Sequence, residues 1–300
     1  MRAHDRPSLG ISLRILAGLL SASMFICIKA AGPDMPLGEV VFFRSFFAII
    51  PLTLFLWVRG EFPHGLATQK PAQHLLRSSF GAVALFTSFA ALTYLTLAEA
   101  ILIAQLSPML MAIFAVIILS ESLNVWRIAS ISVGFIGVVV LVWPELGSGF
   151  SNSTRLWGIG LALVSATLSA MALIMVRSLN KTESPGAIAM YFVIASMIGA
   201  LSTVPWGWIV PDIATTAMLI GAGLFGGFGH IALTLSFRYA EASRLAPFEY
   251  LALFWPILAD LFIFRLSLST SFLLAAPLIL AGAAVAAGER NRNAEKAGAK

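Results

Sequence analysis

Charged side chains inside long apolar segments are the residues of this chain that point most directly to chemistry. Arg44 stands five residues into one such segment, and Glu249 and Asp260 share another. Burying a charge costs free energy unless the charge has a partner, so each of these residues needs a partner or a function. For Arg44 three interpretations stay open: a side chain that reaches the surface, an anchor for an anionic or carbonyl-bearing ligand, or a pair with Glu39 or Asp260.

Glu249 and Asp260 are predicted to serve in ion coupling or in a salt bridge. They are eleven residues apart, which is close to three helical turns, so both carboxylates fall on one face of a helix. Glu249 is either a group that exchanges a coupling proton or the ion-pair partner of Arg244. Both acids are expected to face the interior of a helix bundle.

Prolines interrupt the same apolar segments. Pro108 lies in the middle of one segment, and Pro247 and Pro256 lie in another. Each proline leaves the carbonyl four residues earlier without its helical hydrogen bond. The interruption is either a simple kink or a broken helix that lines a central binding site. The residues predicted to bind a substrate are Arg44, Gln105, Ser107, Pro108, Tyr250 and Trp255.

Other kinds of site are not indicated. The four histidines lack metal-ligand spacing, and Cys27 has no second cysteine to pair with. The run at 221–226 matches a dinucleotide fingerprint, but that motif requires a preceding strand, and here it lies inside an apolar segment. Gly223 and Gly227 instead predict close helix packing. The sequence therefore predicts no enzyme activity, no cofactor, no metal site and no nucleic-acid partner.

Composition identifies the medium in which these segments fold. The chain has 300 residues, 59% of them hydrophobic and 11% charged, with a mean hydropathy of +0.92. An average soluble domain carries roughly 25% charged residues. A soluble protein of this size cannot hide so much apolar surface, so the chain is predicted to be an all-α integral membrane protein.

Ten segments are long and apolar enough to be predicted as membrane-spanning helices. They cover residues 11–31, 40–58, 76–95, 98–119, 128–143, 156–176, 187–204, 214–235, 245–264 and 272–288.

Charge asymmetry predicts the orientation of these spans. With the N-terminus inside, fifteen of the 19 Lys and Arg residues fall on the inner side, among them Arg77, and three fall outside. Such a bias predicts a multi-pass protein of the cytoplasmic (inner) membrane with both termini in the cytoplasm. Lys29 and His230 are predicted to be structural residues near the membrane interfaces.

The spans divide into two halves of five. An odd number of crossings makes the second half enter from the opposite face, so the fold is predicted to be ten transmembrane helices in two inverted five-helix repeats. The predicted units are the first repeat at 1–145, an outer connecting loop at 146–155, the second repeat at 156–288 and a cytoplasmic tail at 289–300. Matching runs support this division: ALT at 91–93 and 232–234, each followed by AEA.

Taken together, these features resemble the drug/metabolite transporter superfamily, in its EamA-type ten-helix branch. The resemblance covers nearly the whole chain. Its carriers are FFRSF at 42–46, ALTY at 91–94, AEA at 98–100, LSP at 106–108, Glu121 and GFIG at 134–137. The second half departs from the pattern, with Tyr250 where the first half has Pro108 and Ile263 where it has Glu121.

The resemblance implies a carrier of small organic molecules that works by alternating access, as a monomer or a homodimer. The overall sequence character resembles the riboflavin uptake branch of bacterial EamA-type carriers, which makes riboflavin the first expectation. Export of amino acids or related metabolites and uptake of S-adenosylmethionine are the alternatives. An integral-membrane enzyme acting on lipid would need clustered acids or histidines at one interface, and a passive scaffold would not need buried Arg44 and Glu249.

Overall fold

Helices make up all the regular structure of the described chain, which confirms the all-α prediction. A computed structural model describes residues 6–119, 125–147, 153–179, 182–240, 245, 248 and 251–298. The helices are α1 (Pro7–Ala30), α2 (Leu37–Val58), α3 (Pro71–Ala91), α4 (Leu97–Ala104), α5 (Ser107–Leu119), α6 (Val125–Gly147), α7 (Ser153–Leu179), α8 (Pro185–Leu201), α9 (Ile213–Tyr239), α10 (Phe254–Leu258) and α11 (Thr270–Gly298).

Most of these helices are apolar enough to lie in a bilayer. Four of them are also long enough to cross it, at Ser8–Ala30, Leu37–Val58, Thr154–Val176 and Ile213–Ser236. Five shorter apolar helical stretches lie at Leu97–Met111, Ile128–Pro144, Pro185–Leu201, Leu251–Ile263 and Thr270–Val285. The first of them runs from α4 into α5, and the fourth contains α10. Helix α3 is more polar, because Gln73, His74 and Arg77 occupy its first two turns.

Helix ends differ from the predicted spans where local capping decides them. The predicted third span ends at residue 95, but α3 ends at Ala91, because Thr96 starts a new helix. The Thr96 side chain accepts from the Glu99 amide, and the Glu99 side chain accepts from the Thr96 amide, which is a capping box. At the other end of the chain, α11 continues to Gly298, past the predicted limit at residue 288.

The two halves pack against each other in reciprocal pairs. Helix α1 packs on α9, and its counterpart α7 packs on α3. Likewise α2 packs on α9, and α8 packs on α3. The pairs α2–α8 and α6–α11 each join a helix to its own counterpart. This exchange of partners is the arrangement that two inverted repeats produce, and it places the interface between the halves through the middle of the bundle.

Small residues set the distance between α2 and α9, as the glycine spacing predicts. A Cβ added at Gly223 would lie 3.0 Å from the Arg44 carbonyl oxygen. A Cβ added at Gly227 would lie 3.0 Å from the Ala48 carbonyl oxygen and 3.2 Å from its Cα. Backbone atoms cannot move aside as a flexible side chain does, so both positions require glycine.

Gly227→Ala is therefore expected to lower the free energy of unfolding by about 1–3 kcal/mol, the usual cost of overpacking. The measurement is the Tm of the purified chain in detergent. Gly199→Ala is the matched control, because a Cβ at Gly199 meets nothing within 4 Å, and alanine is the better helix former. A Tm for Gly227→Ala equal to that of the control would contradict the close packing of α2 on α9.

Candidate functional site

The fourth predicted span is broken in its middle, as the position of Pro108 predicts. Helix α4 ends at Ala104, and α5 begins at Ser107. Gln105 donates its amide hydrogen to the Ile101 and Leu102 carbonyls, and the Leu106 amide donates to Ile103 at 3.0 Å. The chain thus tightens into a turn before Pro108, which has no amide hydrogen to continue the helix.

Two of the predicted binding residues stand at this break with different surroundings. The Ser107 hydroxyl donates to the Ala166 carbonyl on α7 at 3.1 Å, so it joins the two halves of the chain. The Gln105 side-chain nitrogen Nε2 is buried and has no hydrogen-bond partner among the described residues. An orphaned buried amide is costly. Gln105 therefore stays available to a ligand, whereas Ser107 is already engaged.

Predicted site residues in the ninth span are only partly described. Glu249 and Tyr250 lie outside the described residues, as do Arg244 and Pro247. Trp255 lies on the short helix α10, half-buried, with its ring edge-on to Phe254 at 5.4 Å between centroids.

Asp260 lies on the π-helical turn Ala259–Ile263, directly after α10. Its carboxylate accepts the amide hydrogens of Leu97 at 3.1 Å and of Ala98 at 2.7 Å, the first residues of α4. The Lys29 Nζ lies 3.5 Å from Asp260 Oδ1 and donates to the Leu95 carbonyl at 3.1 Å. The carboxylate thus satisfies a helix N-terminus and a lysine together. Pairing of Arg44 with Asp260, one of the sequence-based alternatives, is wrong because Asp260 is engaged here.

Arg44 lies in the protein interior and not at the surface. The residue is 2% exposed, which also excludes the interpretation of a side chain reaching water. Its Nη2 lies 3.4 Å from His230 Nε2, so the imidazole acts as acceptor when its proton is on Nδ1. Glu39, the other proposed partner, accepts the Ile209 amide hydrogen at 3.1 Å instead. His230 is therefore part of the Arg44 environment in the interior of the bundle, and its place near a membrane interface stays a prediction.

A second arginine comes to the same place from α3. The Arg77 guanidinium carbon lies 4.3 Å from the centre of the Phe192 ring, and that of Arg44 lies 5.7 Å from the same centre. The His230 ring meets the Phe192 ring edge-on at 6.3 Å. We call Arg44, Arg77, Phe192 and His230 the arginine cluster. It joins α2, α3, α8 and α9, and so both halves of the chain.

The arginine cluster holds donors that nothing in the described chain satisfies. Nε and Nη1 of Arg44, and Nε and Nη1 of Arg77, are shielded from solvent without a hydrogen-bond partner among the described residues. A ring face attracts a cation, but by only about 0.5–2 kcal/mol. The effective penalty for desolvating an ion is several kcal/mol. The cluster therefore has excess positive charge and excess donors.

Two glycines leave space for the guanidinium groups of Arg44 and Arg77. A Cβ at Gly226 would lie 3.3 Å from Arg44 Nε, and a Cβ at Gly81 would lie 3.1 Å from Arg77 Nη1. Each guanidinium thus lies against helix backbone that has no side chain. Gly226 belongs to the run at 221–226 that imitates a nucleotide motif, and its role here is to accommodate Arg44.

Sequence reasoning misses Arg77 and Phe192 as site residues. It places Arg77 with the cytoplasmic charges, since Arg77 lies near the start of a span. A signal is present in the polar positions His74, Arg77 and Ser78, which share one face of α3 at helical spacing. One of these polar residues, His74, has an acidic partner: its Nε2 lies 3.5 Å from Glu183 Oε2. Phe192 carries no such signal among 22 phenylalanines.

A cavity opens at the end of the bundle where α1 and α3 finish and α2 begins. Its volume is about 580 Å³, and it is lined mainly by apolar and aromatic side chains, including Phe89, Tyr94 and Phe264. Lys29 also lines it, so the Lys29–Asp260 pair stands at its wall. The cavity is large enough for a small organic molecule.

Comparison with known proteins gives one family. The sequence matches the EamA-like transporter family over residues 8–143. The S-adenosylmethionine uptake transporter of Rickettsia prowazekii is 30% identical over 264 residues, which is 85% of this chain and 84% of that protein.

Two further relatives have other named substrates. The pseudopaline exporter of Pseudomonas aeruginosa strain UCBPP-PA14 is 27% identical, covering 81% of this chain and 84% of its own length. The riboflavin transporter of Rhizobium johnstonii is 26% identical, covering 92% of this chain and 90% of its own length. The named relatives thus include both uptake and export proteins.

Proposed function

The chain belongs to the EamA-like transporter family, so it is a multi-pass membrane protein and a secondary transporter of small metabolites, and we propose where and how it binds its substrate. The substrate site lies between α2, α3, α8 and α9, at the arginine cluster. We include Gln105 of the broken fourth span as a second proposed contact, because its buried Nε2 has no partner among the described residues. Alternating access then exposes this site first to one side of the membrane and afterwards to the other.

The depth of the arginine cluster is the observation that carries this proposal. Arg44 is seven residues from the start of α2, or about 10 Å along a helix of about 33 Å at 1.5 Å per residue. Arg77 and Phe192 are six and seven residues from the starts of α3 and α8, which begin at the other end of the bundle. Long side chains from both ends therefore meet near mid-membrane, where secondary transporters bind substrate.

Substrate candidates come from the resemblance and the relatives. Riboflavin, the first expectation from the sequence, has no carboxylate to match two buried arginines. S-adenosylmethionine carries an amino-acid carboxylate, and the orphaned guanidinium donors favour this group over riboflavin. Its sulfonium and ammonium groups make the whole molecule a net cation, so the match rests on the carboxylate alone. The proposed orientation has both termini in the cytoplasm, supported by the excess of Lys and Arg on that side.

The test is transport by the purified full chain in proteoliposomes. Labelled S-adenosylmethionine, riboflavin and a panel of amino acids are offered from either side, with protein-free vesicles as the control. We expect flux that saturates and that the same unlabelled solute inhibits. Riboflavin flux without S-adenosylmethionine flux would reverse the substrate ranking, and absence of saturable flux for the whole panel in both directions would contradict the proposal.

A further inference from the structure

We propose that Arg44 and Arg77 form an oxyanion-binding pair, so that the transported molecule carries a carboxylate or a phosphate held against Phe192. This inference rests on the proposed function, because it names the substrate class of the same site. It goes further than Arg44 alone, since it requires a second cation, Arg77, against the same aromatic ring.

Unused hydrogen-bond donors are the first step of the argument. Each arginine has Nε and Nη1 shielded from solvent without a partner among the described residues. An arginine Nε carries one hydrogen and an Nη carries two, so each residue offers three N–H donors in one plane. Parallel binding of two oxygens by a guanidinium uses Nη2 together with Nε or Nη1, so each unused Nε or Nη1 supplies a charge-assisted hydrogen bond to a carboxylate or phosphate oxygen.

Engagement of the described acids is the second step. Each of the five buried or half-buried carboxylates among the described residues has a partner that is not Arg44 or Arg77, and Asp34 and Asp212 are exposed. These pairs are Asp260 with Lys29, Glu61 with Arg59, Glu183 with His74, Glu99 with Arg155, and Glu39 with the Ile209 amide. Within the described residues the arginine cluster therefore has two cations and no counter-ion, and an oxyanion group on the ligand supplies the missing charge.

The surroundings of the pair are the third step. The Phe192 ring lies against both guanidinium groups and excludes water from one side of each. Interactions between charges are stronger where water is excluded. Contact with His230 Nε2 fixes the Arg44 Nη2, which leaves Nε and Nη1 for the ligand. Two guanidinium groups beside one apolar ring favour an organic ligand whose oxyanion group meets the arginines while its apolar part meets the ring.

Matched pairs of small ligands test the inference whichever molecule the chain transports. The Tm of the purified full chain in detergent is measured with phenylacetate against phenylacetamide, and with benzyl phosphate against benzyl alcohol, at constant ionic strength. We expect each acid to bind at least tenfold more tightly than its neutral analogue. The stronger of the two acids identifies the oxyanion as carboxylate or phosphate.

Variants show whether the arginines cause the preference. Arg44→Gln and Arg77→Gln are each expected to reduce the tenfold preference for the acid to about onefold to threefold. Arg59→Gln is the control, because Arg59 pairs with Glu61 outside the cluster, and it should keep the full preference. If neither cluster variant folds, the comparison of acid and neutral analogue in the unmodified chain still shows whether the chain prefers an oxyanion.

Equal protection by an acid and its neutral analogue would overturn the inference, as would equal protection by sodium chloride at the same concentration. Saturable transport together with such equal protection would overturn the oxyanion pair alone. Acid-selective protection without any saturable transport would instead overturn the proposed transport function and leave the oxyanion pair in place.

Discussion

Asp260→Asn is expected to lower the free energy of unfolding by about 3–5 kcal/mol, the usual cost of breaking a buried ion pair by removing one partner. The Asp260 side chain is fully buried, and its two oxygens accept from the Leu97 and Ala98 amides beside Lys29. Asparagine offers one acceptor where two amides need one each. It also leaves the Lys29 ammonium without a counter-charge.

The measurement is the Tm of the purified chain in detergent, together with the fraction that remains monodisperse. Asp212→Asn is the matched control: Asp212 caps α9 by accepting from the Thr215 amide at 2.8 Å, but it is exposed, and asparagine caps a helix about as well as aspartate does. Lys29→Met in combination with Asp260→Asn should recover part of the loss. Equal Tm values for the two single variants would contradict a structural role for the Asp260 carboxylate.

Features that depend on one segment could be predicted from the sequence. Pro108 has no amide hydrogen, so the break at the Ala104–Ser107 junction follows from the chemistry of one residue. Gly223 and Gly227 stand four residues apart on one helix face, and that spacing predicts close approach whatever the neighbouring helix is. The inverted entry of the second half likewise follows from an odd number of crossings in each half, whereas the pairing of particular helices does not.

Features that depend on which helices meet could not be predicted. Asp260 and Leu97 are 163 positions apart, and nothing near either residue shows that one caps the other. Arg77 looks like an ordinary charge at the cytoplasmic end of a helix until α3 packs on α8 and directs its side chain to Phe192. The role of His230 could not be predicted for the same reason, because its partner Arg44 is 186 residues away in the sequence.

The ion pairs near Asp260 and the arginine cluster differ in how their buried charges are balanced. Lys29, Asp260, Glu99 and Arg155 form complete pairs that also hold the start of α4 and Ser269. Those charges are satisfied in the described chain and stabilise it. The arginine cluster is not satisfied in this way, so its charges contribute to the fold only at a cost. Because of this contrast, we assign substrate binding to the arginine cluster and a structural role to the ion pairs.

Arg44→Gln is accordingly expected to reduce the rate of saturable transport about 100-fold, since loss of one buried, hydrogen-bonded charge from a binding site costs about 2–5 kcal/mol. Arg44→Lys keeps the charge but loses the planar fork, so it should retain an intermediate rate. Both variants are compared with Arg59→Gln in proteoliposomes that contain equal amounts of folded protein. Because removing an unpaired charge from the interior relieves a desolvation penalty, Arg44→Gln should also be at least as stable as the unmodified chain. A variant that is destabilised yet transports at full rate would show that Arg44 holds the helices together and does not bind the substrate.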